Sequence, residues 1–127
     1  MIVRSFEFNP VSENTYVAYY ETKECVIIDA GCFYPDEKAD LFNFITDNDL
    51  IVKHVLNTHL HFEHVFGLNF VEQQFHMKTE AHKADEILLQ QMPKQLQMFG
   101  FKDTDAQVPS IGHYLNENDV VTFGNQR

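Results

Sequence analysis

Thr58-His59-Leu60-His61-Phe62-Glu63-His64 is the stretch on which the reading of this chain turns. His59 and His61 are two apart, so in extended backbone both imidazoles project to one side and can converge on a single cation. Glu63 and His64 follow at once. Imidazole nitrogens suit zinc at about 2.0–2.1 Å, and a neighbouring carboxylate can ligate a second cation or hold an attacking water. The competing reading, loop histidines or helix caps on an acidic surface, needs no metal. It is outweighed by the convergence of spacing, a strand before the cluster and a helix after it.

Upstream, Leu50 to Leu56 reads as a strand, broken by Lys53 and His54, that delivers the chain to Asn57-Thr58-His59. Downstream, Leu68, Val71 and Phe75 recur at helical spacing, which predicts an amphipathic helix from about His64 to Phe75 with the cluster at its N-terminus. Further out, Ile2 to Phe8 predicts a strand, Asn9-Pro10 and Ser12-Glu13-Asn14 a turn, and Thr15 to Tyr20 a second strand. Glu21 to Glu24 is a polar turn. Cys25-Val26-Ile27-Ile28 is a buried third strand that stops at Asp29-Ala30-Gly31.

Pro35, Asp36 and Glu37 suit the first turn of a helix, with Leu41, Phe44, Ile45 and Asn48 along its inner face. Beyond the cluster, a short strand is expected around Met77 to Ala81, then a helix from His82 to Gln91, interrupted by Pro93 and resumed over Lys94 to Phe99. The tract from Gly100 to Gly112 has no clear period. Leu115 to Asp119 reads as a turn and Val120 to Phe123 as a closing strand. This order describes mixed α/β layers, with helices packed on one sheet face.

A chain of 127 residues that is 44% hydrophobic suits one domain, and its 12 Phe and 5 Tyr supply bulk for packing between layers. The balance of 9 Lys+Arg against 19 Asp+Glu, a formal charge of −10, argues against nucleic acid and anionic membranes as partners. Cys25 and Cys32 are expected to be reduced thiols. The N-terminus has an acidic residue, Glu7, where a signal peptide needs an apolar run, and no stretch approaches the ~20 apolar residues of a membrane span. A cytoplasmic protein is the expectation.

The cluster resembles the THxHxDH signature of the metallo-β-lactamase superfamily. Asn14-Thr15-Tyr16-Val17, the strand ending Val26-Ile27-Ile28-Asp29-Ala30-Gly31, and Leu115 to Gly124 are similar to segments of hydroxyacylglutathione-hydrolase-like (glyoxalase II-like) members. The resemblance implies an α/β fold of α+β layers. It corresponds to the N-terminal half of the family's αββα sandwich, with a mixed, mostly antiparallel sheet and helices on its outer face. It further implies that 1–127 is one incomplete domain, its C-terminal half absent.

Carried over by resemblance, His59 and His61 are ligands of a first metal and His64 of a second. Glu63 stands where the family usually has Asp, as a ligand of the second metal and the catalytic group that orients the attacking water. Asp29 resembles a buried acid supporting the site from below. Zinc is the implied cofactor, one ion or two, with iron or manganese as alternatives. The extra methylene of Glu63 retracts its carboxylate or shifts the second metal, which makes a one-metal site an option. His54, His76, His82 and His113 match no ligand position of the family.

The implied activity is hydrolysis of a thioester or related ester, a small-molecule substrate, by metal-activated water. The family draws further ligands from segments after Gly124, so the chain as given is expected to be truncated and inactive, with an exposed apolar sheet face. The alternative is a non-catalytic, self-associating fragment or pseudoenzyme with a weak or absent metal site, forming a homo-oligomer that covers that face.

Overall fold

The computed structural model describes residues 2–9, 13–58, 64–82, 86–91, 94 and 111–115. Strands β1 (Ile2–Phe8), β2 (Glu13–Tyr19) and β3 (Glu24–Ile28) lead to helix α1 (Pro35–Asp47) and strand β4 (Ile51–Leu56). Helix α2 (Leu68–Phe75), strand β5 (Thr79–His82), the short helix α3 (Glu86–Gln90) and strand β6 (Ile111–Leu115) follow. The strands lie side by side in sequence order as one six-stranded sheet.

The sheet is mixed, as the resemblance implies, but its balance differs from the expected mostly antiparallel one. β1–β2 and β2–β3 pair antiparallel, whereas β3–β4, β4–β5 and β5–β6 pair parallel. The connections explain this. A tight turn joins β2 to β3, where the Lys23 N–H donates to the Tyr20 carbonyl, and parallel neighbours need a crossover, which α1 supplies between β3 and β4 and α2 between β4 and β5.

Alternation along β2 and β3 decides what the sheet buries. Val17, Cys25, Ile27 and Val55 face α1 and α2, where they meet Leu41, Ile45, Leu68 and Val71 in one apolar cluster. Phe44 joins it from the rim, edge-on to Phe6 and Tyr19. On the opposite face Ala18 pairs with Val26 and Val26 with His54, and His54 forms an ion pair with Glu80. The expected bare apolar face is not found at these positions. Ala18 and Val26 are buried, and the exposed large apolar side chains are scattered over Ile2, Val3, Tyr34, Ile51, Ile87 and Tyr114.

Helix α1 begins where Pro35 predicts. The Glu37 carboxylate accepts the backbone N–H groups of Phe33 and Tyr34, and also that of Asn9, so one side chain caps the helix and fastens the β1–β2 connection to it. Asn48 does not extend the inner face; it is the C-cap, and its side-chain amide donates to the carbonyl of Phe44.

Several boundaries move. Glu13 and Asn14 belong to β2, not to a turn, because they continue the ladder opposite Phe8 and Glu7. Helix α2 starts at Leu68 with Gly67 as its N-cap, so His64 precedes the helix. His82 ends β5 where it was expected to open a helix. Residues 111–115, expected to be aperiodic and then a turn, form β6, paired with β5 from Thr79↔Ile111 to His82↔Leu115. The expected closing strand Val120 to Phe123, and all of the expected helical turn after Pro93 except Lys94, lie outside the described residues.

Cys25 and Cys32 are free and buried, in line with the reduced thiols expected. Gly67 explains how closely α2 approaches the β3–α1 connection: a Cβ there would lie 2.4 Å from Cys32 Sγ and 3.0 Å from the carbonyl oxygen of Ala30. Its N–H donates to that same carbonyl at 2.9 Å.

Candidate metal centre

β3 ends at Asp29, whose φ of 56° places it in the left-handed region that Asp tolerates better than bulkier residues. Its N–H donates to the carbonyl of Leu56 at the end of β4, so the two parallel strands finish side by side. The Asp29 carboxylate is buried beneath the start of the 58–64 segment. Oδ1 accepts the backbone N–H of Thr58 at 2.7 Å and the Asn57 amide at 3.3 Å, and Oδ2 accepts the Thr58 hydroxyl at 2.6 Å.

The other end of the segment comes back to the same place. His64 Nδ1 lies 3.3 Å from Asp29 Oδ2 and 3.3 Å from Glu13 Oε1. Asn57 holds it there, its amide donating to the carbonyl of His64 at 2.8 Å while its own carbonyl accepts the Thr79 hydroxyl at 2.6 Å. Thr15 completes the floor. Its Oγ1 accepts the N–H of Gly31 and lies 2.7 Å from the carbonyl of Asp29 and 2.9 Å from Glu13 Oε2.

Of the sequence-predicted site residues, the structure brings His64 against Asp29, the acid expected to support the site from below. His59, His61 and Glu63 lie outside the described residues. Glu13, Asn57 and Thr15 were not anticipated as part of the centre. Glu13 had one readable signal: it shares the inward phase of β2 with Thr15 and Val17, and an acid on the buried phase of a strand is unusual.

Two buried carboxylates at a single imidazole carry a large desolvation cost, several kcal/mol per ion, that positive charge must offset. Thr58 and Asn57 stabilise Asp29 in part. A carboxylate oxygen of Glu13, one of Asp29 and a ring nitrogen of His64 lie within 4.8 Å of one another, a donor set of the kind that holds divalent cations. The side chain of His64 keeps 18% of its surface accessible, while Nδ1 is buried. The centre therefore fits a metal ion, by its donor chemistry and by its buried negative charge.

The buried thiols differ in kind. Desolvation pushes Cys25 and Cys32 up to about 12 from an ordinary value of 9.0, so both are protonated at neutral pH and poor metal ligands.

A mixed sheet with βα crossovers, and a buried acid after β3 against Thr58 and His64, defines a class. The chain belongs to the Metallo-beta-lactamase superfamily, which matches residues 8–125. Among individual proteins, the chain is 30% identical over 109 residues to hydroxyacylglutathione hydrolase GloC of Haemophilus influenzae, covering 83% of this chain and 50% of that protein. The chain thus spans about half the length of the curated relative it matches.

Solved structures agree on the fold. The BLEG-1 B3 metallo-beta-lactamase superposes with a TM-score of 0.75 at 22% identity, over 98% of this chain and 57% of the other. TTHA1623 in a di-iron-bound form gives 0.77 at 22% identity, over 93% and 56%. No described helix is long and apolar enough to cross a membrane.

Proposed function

We propose that this chain carries the metal-binding half-site of a metal-dependent hydrolase acting on thioesters or related esters. One observation carries the reading: both ends of the 58–64 segment are fastened to a single buried carboxylate, Thr58 through its N–H and hydroxyl and His64 beside its Nδ1. Such contacts place Thr58 and His64 together at Asp29, and a metal ligand needs neighbours that hold it in this way.

In this reading His59 and His61 would hold a first metal and His64 and Glu63 a second, with Glu63 also orienting the attacking water. Bound metal supplies Lewis acidity, polarising the scissile carbonyl and lowering the pKa of water to about 7. The residues of the chain do the rest. Asp29 anchors the segment, Asn57 sets the backbone of His64, and Glu63 turns the water toward the carbonyl carbon. Zinc is the favoured ion, with iron or manganese as alternatives; the di-iron form of TTHA1623 supports that breadth. The relative's name supports a thioester as the small-molecule substrate. The buried free thiols support a reducing, cytoplasmic setting.

Elemental analysis of protein purified without chelator tests the metal. Zinc, iron or manganese above trace in the wild type, and its loss in His61→Ala, is the expected result; no metal at neutral pH overturns the reading. Release of free thiol from a hydroxyacylglutathione thioester, assayed in a protein that joins this half-site to the family's segments after Gly124, tests the substrate. Metal-loaded protein that turns over a lactam or lactone faster than the thioester overturns that part.

A further inference from the structure

We propose that the groove between α1 and α2 is a binding site for a small amphiphilic anion, its aromatic body lying against Phe42 and Phe70 and its carboxylate or sulfonate held by the Lys38 ammonium. The residues of the groove belong neither to the metal centre nor to the 58–64 segment, so the site is independent of the metal reading.

Pro35, Lys38, Ala39 and Phe42 follow one another at the i, i+3, i+4 and i+7 spacing that makes a single stripe along α1. Phe70 and Gln74, one turn apart on α2, form the facing wall. Between them lies an open groove of about 450 Å³, within the roughly 300–1,000 Å³ of small-molecule sites. Ala39 carries only a methyl group, which leaves the space between the helices unfilled. Phe42 stacks on Phe75 at 6.0 Å between ring centroids, and Phe70 packs against the core, so both rings are held from behind.

Lys38 decides the charge of the occupant. Its ammonium lies 6.0 Å from the centroid of the Phe70 ring, and among the described residues no carboxylate pairs with it. Asp36, Asp40 and Asp47 fall on another stripe of α1, and the Glu37 carboxylate is taken up by three backbone N–H groups. A cation in the groove would meet that ammonium, and a neutral apolar guest would take water from it without replacing the lost contacts. An anion supplies the missing partner. A small molecule suits the space better than a protein surface: the groove offers two half-buried rings, and the exposed large apolar side chains other than Tyr34 belong to strands and to α3.

The test titrates anilinonaphthalene sulfonate, an aromatic body with one negative group, into the full chain and follows dye fluorescence together with backbone amide shifts by NMR. Saturable binding is expected, with the largest shifts at Lys38, Ala39, Phe42, Phe70 and Gln74. Phenylnaphthylamine, the uncharged counterpart, is expected to bind about tenfold more weakly or worse. Lys38→Met keeps the apolar stem and removes the charge, and should lower sulfonate affinity about tenfold or more while leaving that of phenylnaphthylamine unchanged. Ala39→Leu fills the groove from an exposed helical position that accepts Leu at little cost, and should abolish binding of both dyes. Largest shifts on other elements, such as the sheet residues Ala18 and Val26, or undiminished binding in Ala39→Leu, overturn the site. Equal affinity for both dyes, or wild-type sulfonate affinity in Lys38→Met, overturns the role of Lys38 and with it the anion. Absence of saturable binding up to the solubility of the dye overturns the proposal outright.

Discussion

The same strands build two different regions. Toward the helices, β2, β3 and β4 supply Val17, Ile27 and Val55, fully buried among Leu41, Ile45 and Val71 without a polar atom from any of these side chains. Two to four residues away, β2 and the ends of β3 and β4 supply Glu13, Thr15, Asp29 and Asn57, also buried but joined by hydrogen bonds. The apolar region tolerates many shapes of similar volume, since its attraction is non-directional. The polar region tolerates few, because each atom depends on a named partner. A fold can thus be kept by the first region while chemistry is lost in the second.

Three perturbations break or sharpen that contrast. The largest effect on stability is expected from Ile27→Ala, about 2–5 kcal/mol by urea denaturation, because the cavity lies under both helices. Thr15→Val keeps the shape and removes one hydroxyl, so it is expected to cost about 1–3 kcal/mol through the unsatisfied N–H of Gly31. A Thr15→Val loss exceeding that of Ile27→Ala would reverse the contrast and make the polar region the main source of stability.

The smallest effect concerns the cysteines. With folded values near 12 against 9.0 unfolded, both thiols are expected to alkylate at pH 8 much more slowly in the native protein than in urea. The sign for stability follows from the raised values. The favourable burial of the neutral thiols is complete below pH 9 and is lost as pH rises toward about 12, so alkaline titration should weaken the fold over that window. Rapid native alkylation at pH 8 contradicts the buried setting.

The contrast also explains what was legible in the sequence. Cys25 to Ile28 is a continuous apolar run, and Leu41, Phe44 and Ile45 repeat at helical spacing, so β3 and α1 could be read from composition and period. Glu13 and Asn14 could not, because polar residues in a strand look like a turn unless their partners are known. His64 was expected inside a helix that in fact begins at Leu68, since the spacing of Leu68, Val71 and Phe75 gives the period of a helix without marking its first residue. β6 was missed altogether: Ile111-Gly112-His113-Tyr114-Leu115 gains its strand identity from pairing with β5, a contact between distant segments. The histidine motif was visible because its ligand types are rare and close in sequence. The polar cluster around Asp29 was not, being gathered from β2, the ends of β3 and β4, and β5.

The bond from Thr58 to Asp29 spans 29 residues and exists only once β4 has docked beside β3, after α1 has crossed over. The antiparallel pairs β1–β2 and β2–β3 need no such closure and can form early; the parallel crossover is the slow, non-local step. Joining Thr58 to Asp29 and docking β4 beside β3 are therefore one event. Whatever grips the centre grips the folded state: a cation present at a hundred times its dissociation constant adds about 2.7 kcal/mol to the unfolding free energy, and a chelator withdraws it. A cation taken up by the proposed centre would then steady the sheet that positions it.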